Sequence, residues 1–316
     1  MDRKLENKKM RSQFSSTGWA ILAYHVLIQV CVMLIAYGDV IYQSIMSAFT
    51  GVTPEQIVNN VSGNAWGYLV CIGMGVLLMF LWKGKKFCTQ ELFTRGRPMK
   101  VGDFFCLLAV FMMGQTLFST LSMVQEWILN QFGFSAMRAV QSATAQSETL
   151  SMFLYASFGA PIAEELLCRG LAMRPLVPYG KRFAILMSAF FFGLMHCNIV
   201  QTPFAFVVGL VLGYAAVEYN ILWAMVLHMI NNLVISDLPP RVLGYEVGNT
   251  VAGLLIWVFT IAGLIILIRR RHEIRRYIHE NKVDNHAVAC FFTSPGVIIA
   301  FAVLMYSTVE TFILMQ

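Results

Sequence analysis

The chain has 316 residues, of which 58% are hydrophobic and 13% charged, and its mean hydropathy is +0.65. Soluble proteins carry about 25% charged residues, so this composition excludes a soluble globular protein. The formal net charge of +6 does not indicate nucleic-acid binding, because the basic residues concentrate in short segments beside apolar runs. We therefore expect an all-α polytopic membrane protein, a single integral membrane domain over 1–316 that is embedded in the lipid bilayer.

Apolar runs of about 17–25 residues are typical of membrane-spanning helices. They predict about nine spans here, at 17–37, 63–82, 102–125, 148–174, 183–198, 203–218, 221–236, 250–268 and 294–315. The first run is too long for a signal peptide and lacks a small-residue cleavage site, so we expect an uncleaved span. The segments 1–16, 83–101 and 269–285 are basic.

Basic loops face the cytoplasm in membrane proteins, and their alternation here predicts a cytoplasmic N-terminus and an external C-terminus. The turn at 218–220 is an exception, since its predicted side is cytoplasmic although it contains no basic residue. The seven cysteines have no CxxC spacing, and we expect them to be reduced, apolar packing residues. Gly209 and Gly213 form a GxxxG pattern that predicts close helix packing.

Three charged residues lie within the fourth predicted span. Glu165 and Arg169 are four residues apart on one helical face, so they can form an ion pair that reaches the inner surface. Glu164 points about 100° away and has no local partner. An unpaired carboxylate at bilayer depth costs about 2.5–3.5 kcal/mol and usually faces a bundle interior or a water-filled cavity. Gly159 and Pro161 predict a kink just before these charges.

Two other spans carry polar residues at a matching depth. His196 lies four residues after Phe192 in the fifth span, and Asn232 lies four residues after His228 in the seventh. With a helical rise of about 1.5 Å per residue, these polar side chains and Glu164 lie roughly 10–21 Å from the inner boundary. A single histidine in a span usually packs in the core. Two histidines level with a carboxylate and an amide predict a polar site near the midplane.

These residues belong to three short motifs on successive spans. The stretch EELLCR (164–169) matches EExxxR, FGLMH (192–196) matches FxxxH, and HMINN (228–232) matches HxxxN. In this order they resemble the motifs of the CAAX protease and bacteriocin-processing family (CPBP, also called Abi), whose eukaryotic members are type II CAAX prenyl endopeptidases. The resemblance covers about 148–236, the predicted catalytic core. It implies intramembrane peptide-bond hydrolysis, with Glu164, His196, His228 and Asn232 as catalytic residues and Glu165 and Arg169 in support.

The chemistry of amide hydrolysis suits these side-chain types. The reaction needs an activated water, a base and donors for the developing oxyanion, and a carboxylate removed from water is a better proton acceptor. We expect Glu164 to take a proton from water while His196 helps to hold that water. His228 and Asn232 would then donate hydrogen bonds to the oxyanion. The pair of Glu165 and Arg169 would fix the helix that presents the base.

The sequence leaves the need for a metal open. Two histidines and one glutamate form a known zinc ligand set, so Glu164, His196 and His228 can be zinc ligands. Glu165 could then act as the base. The same residues can work without a metal as a glutamate protease, and the chain has no HExxH motif.

Parts of the pattern also occur in proteins with other mechanisms or functions. Cys168 and Cys197 adjoin the motifs, but apolar surroundings make a thiol inert, which disfavours a cysteine nucleophile. Intramembrane charges and a broken helix also occur in ion-coupled transporters, although the chain has no internal repeat. A non-catalytic immunity or scaffold protein is the other alternative.

The resemblance to the bacterial members predicts a multi-pass protein of the bacterial cytoplasmic membrane. Its substrate would be a membrane-embedded or lipid-anchored peptide, and its role peptide maturation or bacteriocin self-immunity.

Overall fold

The computed structural model describes residues 3–57, 64–144 and 149–316. Helices joined by short loops make up this part of the chain, which has no β-strand. The expectation of an all-α helix bundle is therefore confirmed. Residues 1–2 of the first basic segment and the first residues of the predicted spans 63–82 and 148–174 lie outside the described residues.

The helices follow one another along the chain in three groups. The first group contains α1 (Arg3–Thr50), α2 (Trp66–Lys86), α3 (Val101–Met112), α4 (Gly114–Asn130) and α5 (Met137–Thr144). The second contains α6 (Leu150–Leu154), α7 (Ala160–Glu165), α8 (Lys181–Leu194), α9 (Gln201–Glu218) and α10 (Ile221–Asn231). The third contains α11 (Leu238–Leu243), α12 (Tyr245–Arg269), α13 (Arg271–Glu280), α14 (Asn285–Phe292) and α15 (Pro295–Leu314).

Seven helical stretches of the described residues are long and apolar enough to cross a membrane. They are Leu5–Thr50, Trp66–Glu91, Val101–Asn130, Gln201–Glu218, Ile221–Leu243, Tyr245–Arg269 and Pro295–Leu314. The predicted spans 148–174 and 183–198 are not among them. The former is divided into short segments, and α8 has only 14 residues. A helix of that length covers about 21 Å of a hydrocarbon core about 30 Å thick. The count of nine spans stays a prediction.

Polar contacts gather the predicted cytoplasmic segments at one end of the bundle. The Arg97 guanidinium donates to the Tyr219 hydroxyl at 2.6 Å, and Lys181 and Tyr277 donate to one carboxylate oxygen of Glu218 at 2.9 and 3.0 Å. The turn at 218–220, which lacks a basic residue of its own, thus lies among basic residues of neighbouring segments. Gln13 of the N-terminal segment also accepts from Tyr179 at this end.

The predicted external segments meet at the opposite end. Gln316 at the C-terminus donates to the Ser135 carbonyl at 3.0 Å and accepts from the Ser135 amide at 2.9 Å. The Gln125 side chain donates to the Ile199 carbonyl at 2.8 Å. The predicted cytoplasmic segments and the predicted external segments therefore lie at opposite ends of the bundle. The orientation of the bundle in the membrane stays a prediction.

The helix that carries Phe192 of the second motif, α8, packs closely against α9. A Cβ atom added to Gly209 would lie 3.0 Å from the Phe192 ring, and one added to Gly213 would lie 3.1 Å from Ile185. This confirms the predicted role of the GxxxG pair. The approach brings the backbone of α9 next to the charged residues that follow α7.

Candidate functional site

The first motif lies on a helix whose hydrogen-bonding pattern changes several times. π-Helical turns at Tyr155–Gly159 and Leu166–Met173 flank α7, which carries Glu164 and Glu165. Pro161 at the start of α7 has no N–H, so the regular ladder of hydrogen bonds cannot continue through it. Wide turns of this kind are frequent at functional sites. The irregularity expected from Gly159 and Pro161 is thus present as a π turn.

Glu165 is the acceptor at the centre of a buried charged group. One oxygen, Oε1, lies 3.0 Å from Arg169 and 3.0 Å from His228 Nδ1. Arg169 also donates to the Gly209 carbonyl at 3.1 Å and lies 4.2 Å above the Phe192 ring. The predicted ion pair of Glu165 and Arg169 is confirmed. Both side chains are fully buried, so the expectation that the pair reaches the inner surface is wrong.

Glu164 occupies a different environment from its neighbour. Its side chain is 31% exposed, and its Oε2 atom lies 3.9 Å from His228 Nε2. Electrostatic interactions also link it to His196, Tyr24 and Tyr155. The structure therefore brings Glu164 and both histidines into one neighbourhood, and His228 lies between the two carboxylates.

His196 is oriented by the end of α8. Its Nδ1 atom lies 2.7 Å from the Phe192 carbonyl, which can only accept, so Nδ1 carries a proton and donates it to that carbonyl. Cys197, the next residue, has a φ of +47°, the one positive value among non-glycine residues of the described chain. Left-handed backbone of this kind is strained and tends to occur at functional sites. The backbone thus turns at Cys197, directly after the histidine and three residues past the end of α8 at Leu194.

Asn232 bonds to amides rather than to the charged group. Its Nδ2 atom donates to the Ala156 carbonyl at 2.9 Å, and its Oδ1 accepts from Asn231 at 3.1 Å. Asn231 Oδ1 in turn accepts from Gln115 of α4 at 2.9 Å. We call Gln115, Asn231 and Asn232 the amide relay. The relay fixes which way the Asn232 amide points and leaves its second N–H unused by these bonds.

A cavity of about 1000 Å³ adjoins the amide relay. It lies among α4, α5, α9 and α12, and all three relay residues and Ala156 contribute to its wall. Glu164 and the two histidines are not part of that wall. Asn232 is therefore the predicted site residue that faces this space.

The predicted metal ligands do not form a metal centre in this structure. Among the described residues, no group of three or more His, Cys, Asp or Glu side chains is arranged to hold an ion. The donors of Glu164, His196 and His228 therefore do not fit a zinc site as they stand.

The cysteines next to the motifs have other partners. The Cys168 sulfur lies 3.8 Å from the Met195 sulfur and is buried, and the Cys197 sulfur faces the Leu194 carbonyl at 3.6 Å. Neither thiol bonds to a histidine in the described part of the chain, which supports the expectation that both are packing residues.

The fold and the site together define a polytopic membrane protein with carboxylates and histidines among its helices. Residues 146–234 match the family model described as type II CAAX prenyl endopeptidase Rce1-like, and all three motifs fall within the match. The match confirms the resemblance of residues 146–234 to the CAAX protease family. It supports an intramembrane CAAX-type endopeptidase activity in general terms. No curated protein and no solved structure gives a significant match to the chain.

Sequence reasoning missed two residues of the amide relay and the contact between Glu165 and His228. Asn231 directly precedes a motif residue, and Gln115 is a polar residue within the predicted span 102–125. Both could have been noticed as polar groups at bilayer depth. The shared acceptor role of Glu165 has no signal in the sequence, because it depends on how α10 is rotated against α7.

Proposed function

We propose that the protein is an intramembrane endopeptidase in which Glu164 activates the attacking water. One observation carries this proposal: Glu165 holds His228 so that its Nε2 lies 3.9 Å from Glu164. That separation is too long for a direct hydrogen bond and short enough for one water to bond to both groups at about 2.8 Å. The partial exposure of Glu164 gives water access to this position.

The geometry around His228 supports a donor role for both of its ring nitrogens. Its Nδ1 lies 3.0 Å from a Glu165 oxygen and its Nε2 lies 3.9 Å from a Glu164 oxygen, and carboxylate oxygens accept hydrogen bonds. In this state His228 donates Nδ1–H to Glu165 and directs Nε2–H toward the water beside Glu164.

Hydrolysis then proceeds in two steps. Glu164 takes a proton from the water, and the water oxygen adds to the carbonyl carbon of the scissile bond, whose π electrons move to oxygen. The second N–H of Asn232 and Nε2–H of His228 donate to the resulting oxyanion. Glu164 returns its proton to the amide nitrogen, the C–N bond breaks, and the products are a carboxyl group and an amine.

The decisive experiment compares wild type with Glu164→Gln in cleavage of a fluorogenic membrane-peptide library by purified, detergent-solubilised protein. General base catalysis contributes about 10²–10⁴ in rate, so the variant should lose at least about 100-fold in kcat. Glu310→Gln, an exposed carboxylate on α15, is the matched control and should cleave like wild type.

A strong zinc chelator added to both proteins separates the two mechanisms. Wild-type cleavage that survives chelation supports the metal-free mechanism that we propose, whereas loss that zinc restores supports a metal-dependent one. Equal cleavage by wild type and Glu164→Gln would contradict Glu164 as the base. Failure of wild type to cleave any peptide would favour a non-catalytic immunity or scaffold protein.

The biological setting is proposed from the resemblance to bacterial members of the family. We infer a multi-pass protein of the bacterial cytoplasmic membrane that acts on a membrane-embedded or lipid-anchored peptide. Peptide maturation and bacteriocin self-immunity are the roles consistent with such a substrate.

A further inference from the structure

We propose that α13 (Arg271–Glu280) binds the headgroups of anionic phospholipids at the membrane surface. None of the residues of this helix is buried. Six lysine and arginine residues and two glutamates lie between Arg269 and Lys282, so the segment carries an excess of positive charge. The binding of lipid goes beyond the proposed hydrolysis and does not depend on it.

The position of α13 places it at the level where helices of the bundle end. It follows α12 after a single residue, and that residue, Arg270, pairs with Asp103 near the start of α3 at 3.4 Å. Beyond the other end of α13, the Lys282 carbonyl lies beside Gly180, which directly precedes α8. The helix therefore crosses the end of the bundle that carries the predicted cytoplasmic segments, at the level of the predicted membrane surface.

One face of α13 is apolar although it is exposed. Ile274 and Ile278 lie about 40° apart around the helix, since successive residues turn by about 100°. Their exposed fractions are 39% and 42%. Tyr277, about 60° from Ile274, points to the bundle and donates to Glu218 at 3.0 Å. The two isoleucines thus lie beside the contact with the bundle, on the side where the acyl chains of lipid surround the protein.

Two arginines flank the apolar face. Arg271 lies about 20° and Arg275 about 60° from Ile278 around the helix. Among the described residues, neither of these arginines pairs with a carboxylate. Arg276, about 160° from both isoleucines, faces away from them and pairs with Glu280 at 3.9 Å. The guanidinium groups beside the isoleucines are therefore the ones that remain available to an anion.

This combination of side chains favours a lipid over a soluble anion. A basic helix with large apolar residues on one face is typical of helices that lie in the membrane interface. Arginine stems lie along apolar surface while their guanidinium groups bind phosphate through paired hydrogen bonds. A soluble phosphate would use the arginines and leave the isoleucines unexplained. A phospholipid satisfies both, because its headgroup and its acyl chains belong to one molecule.

The test compares two lipids that differ in charge alone. Purified protein in neutral detergent is titrated with phosphatidylglycerol or with phosphatidylcholine of the same acyl chains, and native mass spectrometry measures the dissociation constants. Each basic residue near an anionic headgroup strengthens binding roughly fivefold, so wild type should prefer phosphatidylglycerol by at least about 25-fold. Arg275→Gln should weaken phosphatidylglycerol binding roughly fivefold, and combining it with Arg271→Gln should remove most of the preference.

The neighbouring arginine provides the matched control. Arg276→Gln makes the same change of charge on the opposite face and should weaken phosphatidylglycerol binding less than about twofold. Replacing Ile274 and Ile278 together by serine should weaken the binding of both lipids and leave the preference between them. All of these residues are exposed, and thermal unfolding without added lipid checks that each variant is folded.

Three results would overturn the inference. Equal binding of the two lipids by wild type would assign the arginines to another partner, such as an acidic protein segment. Equal losses in Arg275→Gln and Arg276→Gln would mean that the net charge of the segment, and not one face of α13, attracts the lipid. Displacement of phosphatidylglycerol by excess inorganic phosphate would assign the arginines to a soluble anion.

Discussion

Two polar clusters of this membrane protein differ in how they meet water. The central cluster contains Glu164, Glu165, Arg169 and His228, and the inner-end cluster contains Arg97, Lys181, Glu218 and Tyr277. Glu165 and Arg169 of the central cluster are fully buried, whereas the Lys181 side chain is 45% exposed. Ion pairs occur in both, so the presence of a pair does not by itself indicate a catalytic site.

The difference shows which cluster needs a functional explanation. Solvent and nearby basic segments are sufficient to account for the inner-end cluster, where α13 docks against the turn at 218–220. Burial and the Glu218 carboxylate raise the pKa of the Tyr277 phenol, which therefore remains a hydrogen-bond donor to that carboxylate. The central cluster is costly to bury, and apolar residues of similar volume are often equally stabilising at such positions. Stability alone therefore does not explain the central cluster, and its position supports a chemical role.

The largest effect is expected for Arg169→Met. This change removes the guanidinium that pairs with Glu165 inside the core, and breaking a buried pair in this way typically costs about 3–5 kcal/mol. We expect a lower free energy of unfolding and little activity, measured by thermal unfolding in detergent and by peptide cleavage.

A double variant separates loss of the pair from loss of packing. Glu165→Gln in the Arg169→Met background removes the uncompensated charge and should recover part of the stability. Activity should stay low, because a neutral glutamine no longer balances a protonated His228. A double variant no more stable than Arg169→Met would contradict the view that the buried charge causes the loss.

A smaller effect is expected from substitutions in the amide relay. Comparing two of them distinguishes a residue that contacts the substrate from one that only positions its neighbour. Asn232→Ala removes a proposed oxyanion donor, and loss of one such donor typically lowers kcat about 10²–10³-fold. Asn231→Ala removes the hydrogen bond that orients Asn232 and the acceptor of the Gln115 amide, each a net contribution of about 0.5–1.5 kcal/mol. We therefore expect a decrease of about tenfold or less in kcat.

Steady-state kinetics on one peptide checks this order. The Asn232 variant should lose kcat with a KM close to that of wild type, since the oxyanion forms only during the reaction. Equal losses in the two variants would mean that Asn231 itself contacts the reacting groups. A loss confined to KM in Asn232→Ala would assign that side chain to peptide binding alone.

Contacts between residues close in the sequence could be predicted for this site, whereas contacts between distant helices could not. The pair of Glu165 and Arg169 is local, because a spacing of four residues places both on one helical face. The role of Gly209 and Gly213 follows from their lack of side chains. His228 between the two carboxylates could not be predicted, because the rotation of α10 against α7 is set by tertiary packing.

The broken helix and the relay were unpredictable for related reasons. Pro161 indicates that the ladder is interrupted, but a proline does not specify a π turn at Tyr155–Gly159. The contact between Gln115 and Asn231 depends on which face of the predicted span 102–125 turns toward α10, and hydropathy does not reveal that face. The length of α8 is likewise hidden, since its apolar run continues past the helix end at Leu194.

The smallest effect is expected for Lys181→Met, the inner-end counterpart of Arg169→Met. Lys181 pairs with Glu218 at 2.9 Å, but its exposure limits the contribution to about 0–1 kcal/mol. Activity should equal that of wild type, and the small loss of stability should vanish at 1 M salt, where the Debye length is about 3 Å. The loss in Arg169→Met should persist at that salt concentration, because solvent ions do not reach the pair. Unfolding curves of both variants at low and high salt test this directly: a salt-insensitive loss in Lys181→Met, or a salt-sensitive one in Arg169→Met, would remove the distinction between the two clusters.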